Sequence, residues 1–202
     1  MKIFKVGFDK AGTASLHQAL KQLGFRSMHQ YQQEGEILKQ LISGKKHPDL
    51  CKYDAFVDGN WGQHIEVILE HFPEAFLIFT IRDREKWIQS RIINALSNRY
   101  FQKPGLTEIN TIKWGEMHDQ HLQSVRQKLT SHTRYLEINI PNGDGWEKLC
   151  LFLIVSAPET PFPRVNTAKN HLENILRAMQ RKQSPHYTLQ KQKEIQHLPF
   201  SA

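Results

Sequence analysis

Five short apolar runs alternate with segments whose apolar residues recur every three or four positions. That alternation constrains the fold of the 202-residue chain more than any other feature. The runs cover residues 3–7, 25–28, 55–57, 76–81 and 135–138. The fourth contains Phe76-Leu77-Ile78-Phe79, continuously apolar, as a strand covered on both faces requires. Between the runs, Leu16, Leu20 and Leu23 fall at helical spacing, as do Ile37, Leu38, Leu41 and Ile42, and then Ile65, Ile68, Leu69 and Phe72. Further helical patterns cover about 84–97, 109–130, 144–154 and 168–181. The implied fold is α/β: a single domain with a mostly parallel sheet of about five strands, flanked by helices on both faces. Its span is 1–182, followed by a polar, Gln- and Lys-rich tail over 183–202. In such a sheet ligands gather beyond the carboxyl ends of the strands.

The charge narrows the partner. The net charge is +7, and the isoelectric point near 9.4 favours an anion. The basic residues are scattered, with no helix-turn-helix, zinc-finger or RNP pattern, so a polyanionic small molecule is expected rather than nucleic acid. The longest apolar run, 149–155, is too short to span a bilayer, and no export leader precedes the first strand, so no membrane partner and a cytoplasmic location are expected. Cys51 and Cys150 have no metal-type spacing and read as reduced, buried thiols. His118 and His121 share a helix face but read as core or surface residues rather than metal ligands. The prolines at 158, 161 and 163 make residues 157–163 an extended connection.

The first strand runs into Phe8-Asp9-Lys10-Ala11-Gly12-Thr13, and a helical pattern starts near Thr13. Free N–H groups at a helix start, the positive end of its dipole and the Lys10 ammonium would make an anion cradle. The plainer reading is a glycine turn with Thr13 or Ser15 capping a helix. The lysine precedes the glycine, so the Walker pattern G-x-x-x-x-G-K-[ST] is absent, as is G-x-G-x-x-G.

Lys10-Ala11-Gly12-Thr13-Ala14-Ser15-Leu16 resembles the 5′-phosphosulfate loop of sulfotransferases that use 3′-phosphoadenosine 5′-phosphosulfate, commonly [K/R]-x-G-T-[T/S]-S-L. A second stretch, Arg82-Asp83-Arg84-Glu85-Lys86-Trp87-Ile88-Gln89-Ser90, resembles the family's R-D-P-x-x-W-x-x-S. By that resemblance Arg82 and Ser90 hold the donor's 3′-phosphate, and Lys10, Ala11, Gly12, Thr13, Ala14 and Ser15 hold the 5′-phosphosulfate. The plainer reading makes Arg82 an ion-pair partner of Asp83 or Glu85. A third stretch, from Gly145-Trp146-Glu147 to Pro161-Phe162-Pro163-Arg164-Val165-Asn166, resembles the ending of one sulfotransferase subgroup. There Trp146, Leu149, Phe152 and Leu153 read as helix core, and Arg164 and Asn166 could approach the donor or equally serve structural roles. Two positions depart from the pattern: Ala14 replaces a hydroxyl, and Arg84 replaces the proline.

The resemblance implies transfer of a sulfuryl group from the phosphosulfate to a hydroxyl or amine of a small-molecule acceptor, with 3′-phosphoadenosine 5′-phosphate as product and no metal. Lys10 would meet the charge developing on the bridging oxygen. The family's base follows the third strand, where this chain reads Val57-Asp58-Gly59-Asn60. Asp58 is the first candidate base, with His17 and His29 as alternatives. Asp58 could instead make an Asx turn or pair with Lys10. The acceptor pocket would come from about 30–50, 94–115 and the tail; Tyr100, Phe101 and Trp114 could line it, but core or surface packing is the plainer reading of all three. The rival expectation is a non-catalytic member that binds a nucleotide or an acidic partner.

Overall fold

The computed structural model describes residues 1–101 and 105–165, together with Glu173, Leu176, Arg177 and Gln180. Asn166 and the tail over 183–202 lie outside the described residues, as does the 168–181 helix except at those four positions. The chain divides into two compact units, Met1–Arg91 with Asn110–Asn166, and Ile92–Ile109 with Thr167–Ala202. In the second unit the Tyr100 and Phe101 rings meet edge to face at 4.9 Å, and Asn98 donates to the Leu106 carbonyl at 2.9 Å.

The first unit is built on a five-stranded, all-parallel sheet in the order β2-β3-β1-β4-β5. Its strands are β1 (Ile3–Lys5), β2 (Ser27–Met28), β3 (Ala55–Phe56), β4 (Phe76–Thr80) and β5 (Tyr135–Ile138). The second strand starts two residues later than its apolar run. Phe25 N–H is taken by the Leu20 carbonyl, closing the end of the preceding helix. The helices are α1 (Thr13–Gln22), α2 (Tyr31–Ile42), α3 (Asp49–Lys52), α4 (Ile65–His71), α5 (Arg84–Tyr100), α6 (Thr111–Leu129) and α7 (Trp146–Leu153). Short 3₁₀ turns lie at Trp61–Gln63 and Ile140–Asn142. α6 starts at Asn110, whose side chain accepts the Lys113 N–H at 3.0 Å.

Alternation along the strands divides the core in two. Phe4, Val6, Phe56, Leu77 and Phe79 pack with Ile37, Leu41, Ile65, Ile68, Val125 and Leu129, so α2, α4 and α6 cover one face. Ile3, Ala55, Ile78 and Ile138 pack with Leu16, Leu20, Leu149 and Leu153, so α1 and α7 cover the other. Leu149 and Leu153 are buried as the sequence suggested, while Trp146 and Phe152 are only half-buried. Cys150 is buried, but Cys51 is exposed, correcting the expectation of two buried thiols. It follows Leu50 on the short α3, and Leu50 takes the inward place. Because every strand is parallel, the segments after β1, β3 and β4 leave the sheet on the same side.

Candidate active site

The loop after β1 turns sharply between Gly7 and α1. A Cβ on Gly7 would stand 2.1 Å from the Thr80 carbonyl oxygen, so only glycine lets β1 approach β4 this closely. Lys10 has φ 58°, a left-handed conformation that strains a non-glycine residue by about 1–2 kcal/mol. Gly12 precedes the helix with φ 92°, and a Cβ there would press on Ile140 at 2.9 Å. The first closing bond of α1 runs from Leu16 N–H to the Gly12 carbonyl, leaving the N–H groups of Thr13, Ala14 and Ser15 without acceptors inside the helix.

Three side chains from β4's end and α5 hold this strained loop. Arg82 donates to the Lys10 carbonyl at 2.8 Å, and Trp87 Nε1 donates to the Asp9 carbonyl at 2.9 Å. Arg91 Nη1 pairs with Asp9 Oδ1 at 3.3 Å. The Arg91 guanidinium lies over the Trp87 ring at 4.7 Å and the Trp114 ring at 4.9 Å. His118 Nε2 donates to the Arg82 carbonyl at 3.0 Å and so anchors the clamp to α6. Arg82 therefore serves the loop rather than pairing with Asp83 or Glu85; Asp83 faces Lys86 at 3.6 Å.

On the other side of Thr13 the structure brings together Asp58, His29 and His17. His29 Nε2 lies 3.6 Å from Asp58 Oδ1 and 3.4 Å from Thr13 Oγ1. The His17 and His29 rings stack at 5.3 Å, and His17 Nδ1 meets Ser27 Oγ at 2.9 Å. Burial holds the His17 pKa below its usual value, with His29 and Lys21 adding in the same direction. Burial likewise lowers the Lys10 pKa, while the nearby carboxylates of Asp9 and Asp58 oppose the shift. Ser15 is buried, and its Oγ accepts the Val165 N–H at 3.1 Å. Ser90 is half-buried on α5, and no hydrogen bond among the described residues joins it to Arg82 or the loop. Arg164 donates to the Ile140 carbonyl at 3.0 Å, beneath Gly12.

A family model for the sulfotransferase domain matches residues 2–92 and 90–171. The chain belongs to the sulfotransferase domain family. It is also 24% identical to "Ava biosynthesis cluster protein M" of Aspergillus versicolor, over a 219-residue alignment covering 85% of this chain and 83% of the relative. The all-parallel sheet with helices on both faces agrees with a sulfotransferase fold. No helix among the described residues is long and apolar enough to cross a membrane.

The donor set of this sulfotransferase domain suits a phosphorylated anion. Beside the helix-end N–H groups and Lys10, the Nε atoms of Arg82 and Arg91 are buried and have no partner among the described residues. A buried guanidinium N–H without an acceptor is costly, so it favours an anion brought into reach.

Several residues of the site escaped the sequence reading. Arg91 follows Trp87 by one helical turn, a cation in register with an aromatic residue. Lys5 is buried in β1, and its burial lowers its pKa against the opposing charges of Asp9, Glu34 and Asp58. Glu34 sits three and four residues before Ile37 and Leu38, a carboxylate in the apolar stripe of α2. That misplaced charge was the available signal. A cleft of about 410 Å³ opens beside Tyr31, Gly35, Leu38 and Asn60, where Asn60 Nδ2 donates to the Tyr31 hydroxyl at 3.1 Å. Trp114 is buried under Arg91, in keeping with the packing role that is its plainer reading.

Proposed function

We propose that the protein transfers a sulfuryl group from 3′-phosphoadenosine 5′-phosphosulfate to a hydroxyl or amine of a small-molecule acceptor, without a metal. The observation that carries this reading is the clamped loop: Arg82 and Trp87 hold Lys10 and Asp9 by their carbonyls just ahead of the α1 N-terminus, and His29 reaches both Thr13 and Asp58. When bound, the nucleotide supplies an activated sulfur whose bond to the 5′-phosphate oxygen breaks as a bond to the acceptor forms. The electron pair leaves with the 5′-phosphate.

In this reading Lys10 neutralises the charge growing on the departing oxygen, and the N–H groups of residues 11–15 with the Thr13 hydroxyl hold the phosphate. Arg82 and Ser90 hold the 3′-phosphate, with Arg91 adding charge beside Ser90. The acceptor proton passes to Asp58, which His29 orients; His17, stacked on His29, is the alternative base. The cleft at Tyr31 and Asn60 takes the body of the acceptor, two residues from Asp58.

Calorimetry tests the donor site. 3′-Phosphoadenosine 5′-phosphate binds at least tenfold more tightly than adenosine 5′-phosphate if the 3′-phosphate is held; equal affinities overturn the assignment of Arg82 and Ser90. Transfer of radiolabelled sulfate from the donor to a panel of phenols, alcohols and amines tests the reaction itself. Tight nucleotide binding without transfer to any of them favours a non-catalytic binding protein.

A further inference from the structure

We propose that Glu34 is the positioning residue of the Asp58 turn: its buried carboxylate collects the backbone N–H groups after β3 and thereby sets Asp58 against His29. The proposal rests on the sulfuryl-transfer reading for its catalytic consequence, while its structural content stands apart from that reading.

Glu34 is fully buried. Oε1 accepts the Val57 N–H at 3.2 Å and the Asp58 N–H at 3.0 Å. Oε2 accepts the Asp58 N–H at 3.0 Å, the Gly59 N–H at 2.8 Å and Trp61 Nε1 at 2.6 Å. Three successive backbone donors thus converge on one carboxylate just past the end of β3 at Phe56. The Val57 N–H also reaches the Met28 carbonyl at 3.2 Å, whereas the Asp58 and Gly59 N–H groups have Glu34 as their acceptor and would need another without it. An ionised carboxylate offers about four acceptor sites and no donor, which matches a cluster made of donors alone. Burial pushes the Glu34 carboxyl above its usual pKa, and the hydrogen bonds from Trp61, Gly59 and Asp58 oppose that shift.

The bonds join two corners of the sheet. Glu34 N–H donates to the Gln30 carbonyl, so Glu34 sits in the first turn of α2, immediately after His29 and Gln30. The β2–β3 pairing of Met28 with Phe56 and the Val57–Met28 bond bring the two corners together, and Glu34 adds the tie that fixes the turn carrying Asp58, 3.6 Å from His29. Glutamine at this position has one acceptor oxygen and would aim an NH₂ group at backbone N–H groups, so Glu34→Gln loosens the turn with little change of volume.

The test uses the full chain with Glu34→Gln, Asp58→Asn and the double variant, following sulfuryl transfer to 2-naphthol and binding of 3′-phosphoadenosine 5′-phosphate. The expected result for Glu34→Gln is a kcat lowered 10- to 100-fold, with nucleotide affinity within twofold of the parent. Because Glu34 acts through Asp58, the double variant is no slower than Asp58→Asn alone. Losses that multiply in the double variant, or nucleotide affinity that falls with kcat, overturn the proposal. Amide hydrogen exchange supplies the readout independent of catalysis. Glu34→Gln speeds exchange at Asp58 and Gly59 at least 100-fold, while Val57, which keeps the Met28 carbonyl, and Ile3 to Lys5 stay protected; unchanged exchange at Asp58 and Gly59 overturns the proposal. Should the parent protein transfer sulfate to no acceptor of the panel, 2-naphthol included, that result counts against the transfer reading, and exchange alone decides the role of Glu34. Glu34→Asp, which keeps the carboxylate, gives the same pattern more weakly and replaces Glu34→Gln if that variant does not fold.

Discussion

Removing the Lys10 ammonium separates chemistry from folding. Its side chain is half-buried at the loop, while the strain of its left-handed backbone is held by Arg82 and Trp87 bonding to main-chain carbonyls. Those bonds survive truncation of the side chain. Lys10→Ala is expected to lower kcat by about 10²- to 10³-fold, the usual effect of one lost charge-stabilising donor. Circular dichroism and melting temperature should stay near the parent's. Asp58→Asn is expected to lower kcat without changing nucleotide affinity, because Asp58 faces His29 rather than the Arg82 side of the loop; an equal loss of affinity in calorimetry would argue against its assignment as base. At this scale the turn itself was legible: a glycine precedes α1 where the sequence placed a turn between strand and helix. Glu34 and Lys5 were not, since a buried charge is understood only from the partners that other segments bring to it.

Among the elements, α5 governs the loop. Trp87 is fully buried and spends its one N–H on the Asp9 carbonyl, while Arg91 reaches the Asp9 carboxylate from the next turn. Trp87→Phe keeps most of the packing and removes a hydrogen bond worth about 1 kcal/mol. The expected outcome is a roughly fivefold weaker binding of 3′-phosphoadenosine 5′-phosphate by calorimetry. Amide exchange across Asp9 to Gly12 should quicken while β4 stays protected. Apart from the four-residue α3, which the sequence did not announce, the longer described helices and the strands were readable to within a few residues, because alternation and helical spacing report burial directly. Their ends were less so: β2 begins late because α1 takes the Phe25 N–H, a competition the apolar pattern does not record.

For the whole molecule, His121 couples folding to acidity. It is partly buried, its ring 3.9 Å from that of Phe8, and burial with the nearby Lys5 charge depresses its pKa to about 4. The unfolded chain takes up a proton near pH 6.5 that the folded chain refuses until about pH 4. This contribution is therefore complete above pH 6.5 and is lost as pH falls toward 4, by on the order of 3 kcal/mol. Melting temperature should drop over that window, and His121→Phe, which keeps a ring against Phe8, should drop less. An identical slope for both proteins would assign the pH dependence to other groups.

The order of strands and helices, their one-sided burial and the site's place beyond the strand ends follow from local periodicity, so the sequence by itself determined the fold class and pointed to the loop after β1. Which charges meet was decided only in three dimensions. Arg82 lies 72 residues from the carbonyl it clamps, and Glu34 lies 24 residues from the Asp58 N–H it holds. Hydrogen bonds over such separations depend on the sheet order β2-β3-β1-β4-β5. Residue spacing encodes which side of an element is buried; it does not encode which distant donor will stand 3 Å from which acceptor.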